Sequence, residues 1–312
     1  VRSKSPDDLD AIRVKCLCLI NQDNYEKALQ SASGKRKTLM SPERAYCMFR
    51  LGRLEEALAV AQEGRRSTTD DSRRTNVLRH LEAQALYRLG MHAQAAEIYA
   101  EMYAEGDEGR GDADRGFPAV SVNLAAAYAA AGKAVEALKR FPVEDVMEEE
   151  DAAWELLYNL GTALLQRNGS VGVVEVEFEV ETAETCLEQA EEACLEASKA
   201  IEQTEDQAAD EASIVSSQLA YARVIAGKPA AAVERLQQIV RSRPSDTAVS
   251  LVSTTNLAAL GGFKDPQEAL TRLTSAISEN AGRGLLPKQL EACRFNKCLL
   301  HFQCGKVRKH ML

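Results

Sequence analysis

The chain has 312 residues, of which 45% are hydrophobic but only 5% aromatic, and its formal net charge is −9. A chain of this length can bury a large core, whereas the scarcity of aromatic residues disfavours a β-sandwich. The acidic balance argues against a free-standing nucleic-acid binder, because such proteins gain affinity by neutralising phosphates.

The amino-terminal residues Val1–Pro6 lack the apolar core of a secretory signal. No segment approaches the roughly 18 consecutive apolar residues of a membrane span. Several of the eight cysteines lie in apolar helical runs, such as Cys16 and Cys18, where a thiol behaves as a small hydrophobic group. We therefore expect a chain without membrane insertion in a reducing, cytoplasmic compartment.

One pattern of residue types recurs along the chain. A small residue is followed three positions later by a large, mostly apolar residue, seven positions later by Gly or a polar turn residue, and twelve positions later by Ala. The clear copies start at Cys16, Ala45, Ala83, Ala125 and Ala220, and weaker copies start at Leu257 and Cys298.

This spacing is typical of the tetratricopeptide motif, in which two antiparallel helices cross at small residues and are joined by a tight turn. A side chain larger than Ala at the crossing would push the helices beyond the usual distance of ~8–10 Å. The repeats predict an all-α, right-handed superhelical solenoid of about seven to eight helix pairs, forming a single domain over residues 1–312.

Three segments interrupt the repeats: loops near 63–75 and 104–117, and an irregular acidic insertion near 167–182. Within the insertion, Glu175–Glu181 alternates with period two, which is typical of a short strand. Because an isolated strand has no partner, a helix start or a mobile loop is the favoured interpretation, and an extended edge segment is the alternative. An acidic amphipathic helix is predicted to follow over Thr182–Ile201.

Chemical sites have little support. Ser33-Gly34-Lys35 lacks the flanking residues of a phosphate-binding loop, and no nucleophile elbow is present. Cys293, Cys298, His301 and Cys304 would point in different directions on a continuous helix, so one tetrahedral ion could not collect all four. The sequence therefore predicts no enzyme, no cofactor and no metal.

Acidic residues dominate from Glu144 to Glu211, where the only basic residues are Arg167 and Lys199. Such a run is usually a solvated face. The alternative is an acidic patch that attracts a basic segment of a partner.

The inner face of the solenoid is the candidate binding site. In this motif the first helix of each pair lines the concave side, and several of its positions point inward. Aromatic side chains with a polar tip and amides suit a groove that holds a polypeptide. Packing between adjacent repeats is the alternative role for these side chains. The candidates are Tyr46, Phe49, Arg50, His80, Gln84, Tyr87, Arg88, Asn123, Tyr158, Asn159 and Tyr221.

Two segments go beyond the generic motif. Ser41–Leu58 contains the string Arg44-Ala45-Tyr46-Cys47, then Arg50-Leu51 and a Glu-Ala-Leu helix. Pro287–Leu300 contains Lys288-Gln289-Leu290, then Phe295-Asn296-Lys297. Both resemble, in order and separation, the 72-kDa protein subunits of the eukaryotic signal recognition particle, and the resemblance covers nearly the whole chain.

The resemblance implies a scaffold that holds the carboxy-terminal part of the particle's 68-kDa subunit as a heterodimer and so supports protein targeting to the endoplasmic reticulum. It also implies that RNA is contacted only through a basic segment beyond the repeats, which this chain lacks. The loop around Gly109 and the Glu175–Glu181 insertion depart from the family pattern.

A different tetratricopeptide adaptor or co-chaperone is the alternative. An adaptor that grips a terminal carboxylate needs inward Lys and Arg side chains beside Asn. The equivalent positions here offer Tyr46, Gln84 and Ala126.

Overall fold

The computed structural model describes residues 8–34, 37–67, 71–107, 118–168, 176–280 and 287–305. In these ranges all regular elements are helices. The first eight α-helices are α1 (Leu9–Ile20), α2 (Tyr25–Ser31), α3 (Ser41–Arg50), α4 (Leu54–Arg66), α5 (Ser72–Arg88), α6 (His92–Asp107), α7 (Pro118–Ala130) and α8 (Ala134–Arg140). A short 3₁₀ helix, Lys37–Met40, precedes α3.

The remaining α-helices are α9 (Val143–Glu148), α10 (Trp154–Asn168), α11 (Val176–Ala200), α12 (Glu205–Ile225), α13 (Pro229–Ser242), α14 (Thr247–Ala259), α15 (Pro266–Asn280) and α16 (Pro287–Gln303). The chain divides into two compact units, Val1–Ala137 and Leu138–Leu312.

Within each unit the helices pack as successive pairs. In the first unit, α3 contacts its second helix α4 and also α5, the first helix of the next pair. In the second unit, α12 likewise contacts α13 and α14, and α14 contacts α15 and α16. This neighbour-to-neighbour pattern is the packing of a repeat protein. It agrees with the predicted all-α tetratricopeptide architecture.

The turns between paired helices share one backbone geometry. The turn residue is left-handed at Asp23, Gly52, Gly90, Gly132, Gly227 and Gly261, with φ between 55° and 79°. At Gly52, its own N–H donates to the carbonyl of Phe49, and the following N–H of Arg53 donates to that of Met48. These two bonds are those of a Schellman motif, which satisfies the last carbonyls of the first helix.

Small residues mark the helix crossings, as the repeats predict. Ala45, Ala83, Ala125 and Ala220 are completely buried. Where α10 packs on α11, the crossing residue is Gly161, at which an added Cβ would lie 2.8 Å from the Cγ of Leu187 on α11. Close helix approach therefore depends on the absence of side-chain volume at these positions.

One repeat has a different register from the one predicted. The recurring pattern predicted the turn of the copy that starts at Leu257 to lie at Lys264, but the left-handed residue is Gly261, three positions earlier. Thr254, 3% exposed, takes the crossing position instead of Leu257. The prediction was wrong because Ala269, which anchored the alignment, follows a turn that is three residues longer than in the other copies.

The strand alternative for the acidic insertion is wrong for the residues described there, because α11 is helical from Val176 onward. Val180, Ala183 and Leu187 are buried at helical spacing, and this contact with α10 outweighs the local alternation. In the other two interruptions, helix extends to Arg66 and to Asp107. Residues 68–70, 108–117 and 169–175 lie outside the described ranges.

Among the described helices, none combines the length and the apolar character that crossing a lipid bilayer would require.

Candidate partner-binding face

The first helix of each pair presents side chains that are not covered by the pair itself. We call these exposed side chains the first-helix face. In the first unit it comprises Leu17, Arg50, Val77, Tyr87 and Arg88. In the second unit it comprises Ile214, Tyr221, Ile225, Phe295, Leu299 and Phe302. Most of the large hydrophobic side chains that are exposed in the described residues belong to it.

Tyr46 is not a free groove residue. It packs against the buried cluster around Cys16 and against the next cluster around Leu78. Its ring meets the edge of Tyr25 at a centroid distance of 6.3 Å and an interplanar angle of 72°. Tyr46 therefore joins neighbouring pairs, which is the alternative role that the sequence left open.

Arg50 closes this arrangement from the exposed side. Its guanidinium carbon lies 4.6 Å from the centroid of the Tyr25 ring, and its Nη1 donates to the hydroxyl of Tyr46 at 2.8 Å. The Tyr25 hydroxyl donates to the carboxylate of Asp23, and this hydrogen bond raises the pKa of Tyr25 to about 12. The cluster holds Arg50 in place while leaving part of it open to a ligand.

The next pair repeats the Arg–aromatic contact. The Arg88 guanidinium lies 5.0 Å from the centroid of the Phe49 ring, and its Nη1 lies 3.4 Å from the Phe49 carbonyl oxygen. Two arginines, Arg50 and Arg88, thus occupy the same position in consecutive first helices. The first-helix face of this unit is therefore basic and aromatic.

His80 and Gln84 lie below this surface. The Gln84 amide donates to Nε2 of His80 at 3.0 Å, and the His80 ring meets Tyr99 at 5.6 Å. Burial lowers the pKa of His80, so its imidazole is neutral near pH 7. Both side chains are half-buried and mainly support the face.

Tyr87 is the most accessible predicted aromatic residue of the first unit, 36% exposed. Its ring packs against His92 at 4.9 Å, and burial of its hydroxyl raises the pKa of Tyr87. A ring held on one side and open on the other is suited to contact with a partner.

The predicted amide positions are less available. Asn123 donates its Nδ2 to the carbonyl of Ala119, 2.5 Å away in the same helix. Tyr158 and Asn159 on α10 are both half-buried. Contacts within the fold therefore cover much of the surface of these side chains.

Tyr221 on α12 is 45% exposed and is the clearest predicted face residue of the second unit. Sequence reasoning missed its neighbours Ile214 and Ile225, which are each 37% exposed. The signal was present, because both lie on the first helix at fixed distances before the left-handed Gly227. It was missed because no aliphatic residue was included among the candidates.

The acidic run is only partly a solvated face. Glu184 and Glu191 of α11 are largely buried and pair with basic residues from α12, from α13 and from the turn between them. Arg223 Nε lies 3.3 Å from Glu184, Lys228 Nζ lies 2.7 Å from Glu184, and Arg235 Nη2 lies 2.9 Å from Glu191. These basic residues lie outside the acidic run, 35 or more positions away in sequence from the glutamates that they pair with.

The cysteines are free thiols. Cys293 is buried and contacts the hydroxyl of Thr255 at 3.2 Å, whereas Cys298 on the same helix is exposed. Within the described part of the chain, no group of three or more His, Cys, Asp or Glu side chains is arranged to hold a metal ion.

No family model matches the sequence. The chain is similar to the signal recognition particle subunit SRP72 of Homo sapiens, with 26% identity over 312 residues that cover 96% of this chain and 42% of that protein. The same identity and coverage hold for SRP72 of Canis lupus familiaris. SRP72 of Dictyostelium discoideum is 24% identical over 98% of this chain and 44% of its own length.

These matches confirm the resemblance noted from the sequence, and the chain spans about two fifths of the length of these relatives. A crystal structure of a tetratricopeptide repeat protein from Parabacteroides merdae superposes with a TM-score of 0.61 at 11% identity, covering 92% of this chain and 98% of that one. This second similarity concerns the fold alone, and it confirms the tetratricopeptide architecture.

Proposed function

We propose, from the similarity to SRP72, that this chain is a non-enzymatic scaffold of the signal recognition particle, in which its first-helix face holds the 68-kDa partner subunit. The observation that carries the proposal is similarity to SRP72 over 96% of the chain. In this role the chain acts in the cytoplasm and supports delivery of ribosomes to the endoplasmic reticulum.

The mechanism is burial rather than chemistry. A stable protein interface covers roughly 1,200–2,000 Å² of total surface, and a few aromatic and arginine side chains carry most of its energy. The first unit offers Tyr87, Arg50 and Arg88 for this purpose, and the second offers Tyr221 between Ile214 and Ile225. RNA is not expected to be a direct ligand of this chain, whose formal net charge is −9.

The test is calorimetric titration of the chain with the carboxy-terminal part of the 68-kDa subunit. We expect one-to-one binding with a negative heat-capacity change, since apolar surface is buried. A peptide with an acidic carboxy-terminal tail serves as the comparison. Tight binding of that peptide, together with no binding of the subunit, would favour a generic tetratricopeptide adaptor instead.

A further inference from the structure

A cleft lies in the second unit where the amino-terminal parts of three first helices meet. Its volume is about 420 Å³, and residues of α10, α12 and α14 line it. Trp154, Ile214 and Val249 supply its apolar lining, and the other lining residues are glutamines, serines and carboxylates. We call it the acidic cleft. Its size falls within the range of roughly 300–1,000 Å³ that is usual for ligand pockets.

Among the described residues that line the acidic cleft, every charged side chain is a carboxylate: Asp210, Glu211 and Asp246. Two of these already have structural roles. Asp210 accepts from the backbone N–H of Ser245 at 2.7 Å and from its hydroxyl at 2.6 Å. Asp246 caps α14 by accepting from the N–H of Ala248 at 2.7 Å.

Glu211 is different. Its side chain is exposed, and it accepts no hydrogen bond from any described residue. Its negative charge acts on the neighbouring helix α11. Burial raises the pKa of the Cys194 thiol there, and the carboxylates of Glu211 and Glu155 raise it further. The cleft therefore combines one free carboxylate with surplus negative potential.

A second polar group in the cleft also lacks a partner. Gln203 lines it, and its Oε1 is buried without any hydrogen bond. A buried acceptor without a donor is unfavourable, and because this oxygen is shielded, a ligand N–H reaches it only after the Gln203 side chain rotates toward the cleft.

We propose that the acidic cleft receives an arginine or lysine side chain from the polypeptide that the first-helix face holds. The cationic group pairs with Glu211, its N–H donors are available to Gln203, and the indole of Trp154 provides an aromatic wall of the kind that attracts cations. Ile214 belongs both to the cleft and to the first-helix face, so a bound chain could place apolar residues on Tyr221 beyond it. The proposal rests on the proposed function only for the identity of the partner.

The first experiment measures affinity of the whole chain for the carboxy-terminal part of the 68-kDa subunit. Glu211→Gln is expected to weaken binding about five- to tenfold, since an exposed charge-assisted pair is partly screened. Glu234→Gln on α13 is the matched control, because it removes the same charge from an exposed site outside the cleft, and we expect less than about a twofold change. Equal affinities for wild type and Glu211→Gln would overturn the cleft proposal while leaving the proposed function intact.

The second experiment does not depend on that subunit. Trp154 is the single tryptophan of the chain, so intrinsic fluorescence reports from the cleft. The probes are acetyl-Ala-Leu-Arg-Leu-Ala-amide and the same peptide with neutral citrulline in place of arginine. We expect saturable quenching by the arginine peptide only, lost in Glu211→Gln. If this occurs while the subunit does not bind, the proposed function fails and the cleft proposal stands; identical responses to both peptides would sink the cleft proposal.

Discussion

Gly161 on α10 shows most directly why helix crossings need small residues. An added Cβ would lie 2.8 Å from Cγ and 3.1 Å from Cδ2 of Leu187, and Leu187 is completely buried and cannot move aside freely. The two helices can therefore approach this closely only because residue 161 has no side chain.

Two effects oppose each other in Gly161→Ala: Ala favours a helix over Gly by about 1 kcal/mol, but the clash of its methyl group with Leu187 costs more. We expect the net free energy of unfolding to fall by roughly 1 kcal/mol. Urea unfolding measures the change. Gly34→Ala is the control, since its added methyl group meets nothing within 4 Å. A stabilised Gly161→Ala protein would show that the crossing has spare volume, contrary to this interpretation.

The thiols differ sharply in their surroundings. Cys18 and Cys298 are exposed, whereas Cys186 is buried and burial raises the pKa of its thiol from 9.0 to about 12. Because the thiolate is the reactive form, reactivity should follow both exposure and pKa. With iodoacetamide at pH 8, mass spectrometry should find Cys18 and Cys298 modified first and Cys186 much later. Modification of Cys186 at the rate of Cys18 in the folded protein would contradict the structure.

At the residue scale, the sequence could predict which positions face inward but not which side chains remain accessible there. Tyr46 and Tyr87 both lie on the inward side of a first helix. Tyr46 packs against Tyr25 from the preceding pair, whereas the Tyr87 ring packs against His92 from the second helix of its own pair. The difference depends on the neighbouring pair, which a helix position alone does not specify.

The ion pairs between α11, α12 and α13 hold three elements together at their partly buried surfaces. Arg223 contacts both Glu184 and Glu188, and its side chain is 19% exposed. Glu184 is only 10% exposed and also contacts Lys228. Removal of Arg223 leaves the largely buried carboxylate of Glu184 with one cationic partner fewer, at a position where water stabilises its charge poorly.

Arg223→Ala is expected to destabilise the protein by roughly 2–4 kcal/mol, because it breaks a partly buried network rather than a surface pair. The control is Arg272→Ala, which removes a 3.9 Å contact with Glu268 between side chains 54% and 40% exposed, and it should cost less than ~0.5 kcal/mol. Thermal and urea unfolding measure both. Equal losses in the two variants would mean that the α11 network contributes no more than a surface pair.

At the element scale, the turns at Asp23, Gly52, Gly90, Gly132 and Gly227 were predicted correctly, whereas those at Gly261 and Glu202 were not. Glu202 forms the same left-handed turn as Gly52, and Gln203 N–H donates to the Ser198 carbonyl as in the other copies. A Glu carries no sequence signal for this conformation. The end of α11 was therefore predicted near its observed place, whereas the left-handed turn that joins α11 to α12, the first helix of the next pair, was not predicted.

At the scale of the whole molecule, the sequence predicted the all-α tetratricopeptide class because small residues and turn residues recur at fixed separations. Such local repetition fixes how each pair packs on the next. The binding role could not be derived in the same way. It depends on the chemistry left exposed on the first helices, and that chemistry differs from pair to pair, basic and aromatic in one unit and apolar with an acidic cleft in the other.

The most direct test of the partner-binding account is site-specific photocrosslinking to the carboxy-terminal part of the 68-kDa subunit. Benzoylphenylalanine is placed at position 87 or 221 on the first-helix face, and at position 234 or 241 on the exposed side of a second helix. We expect crosslinked heterodimer from positions 87 and 221 and little from the other two. Crosslinks that arise mainly from positions 234 and 241 would show that the partner is held elsewhere and would contradict the account.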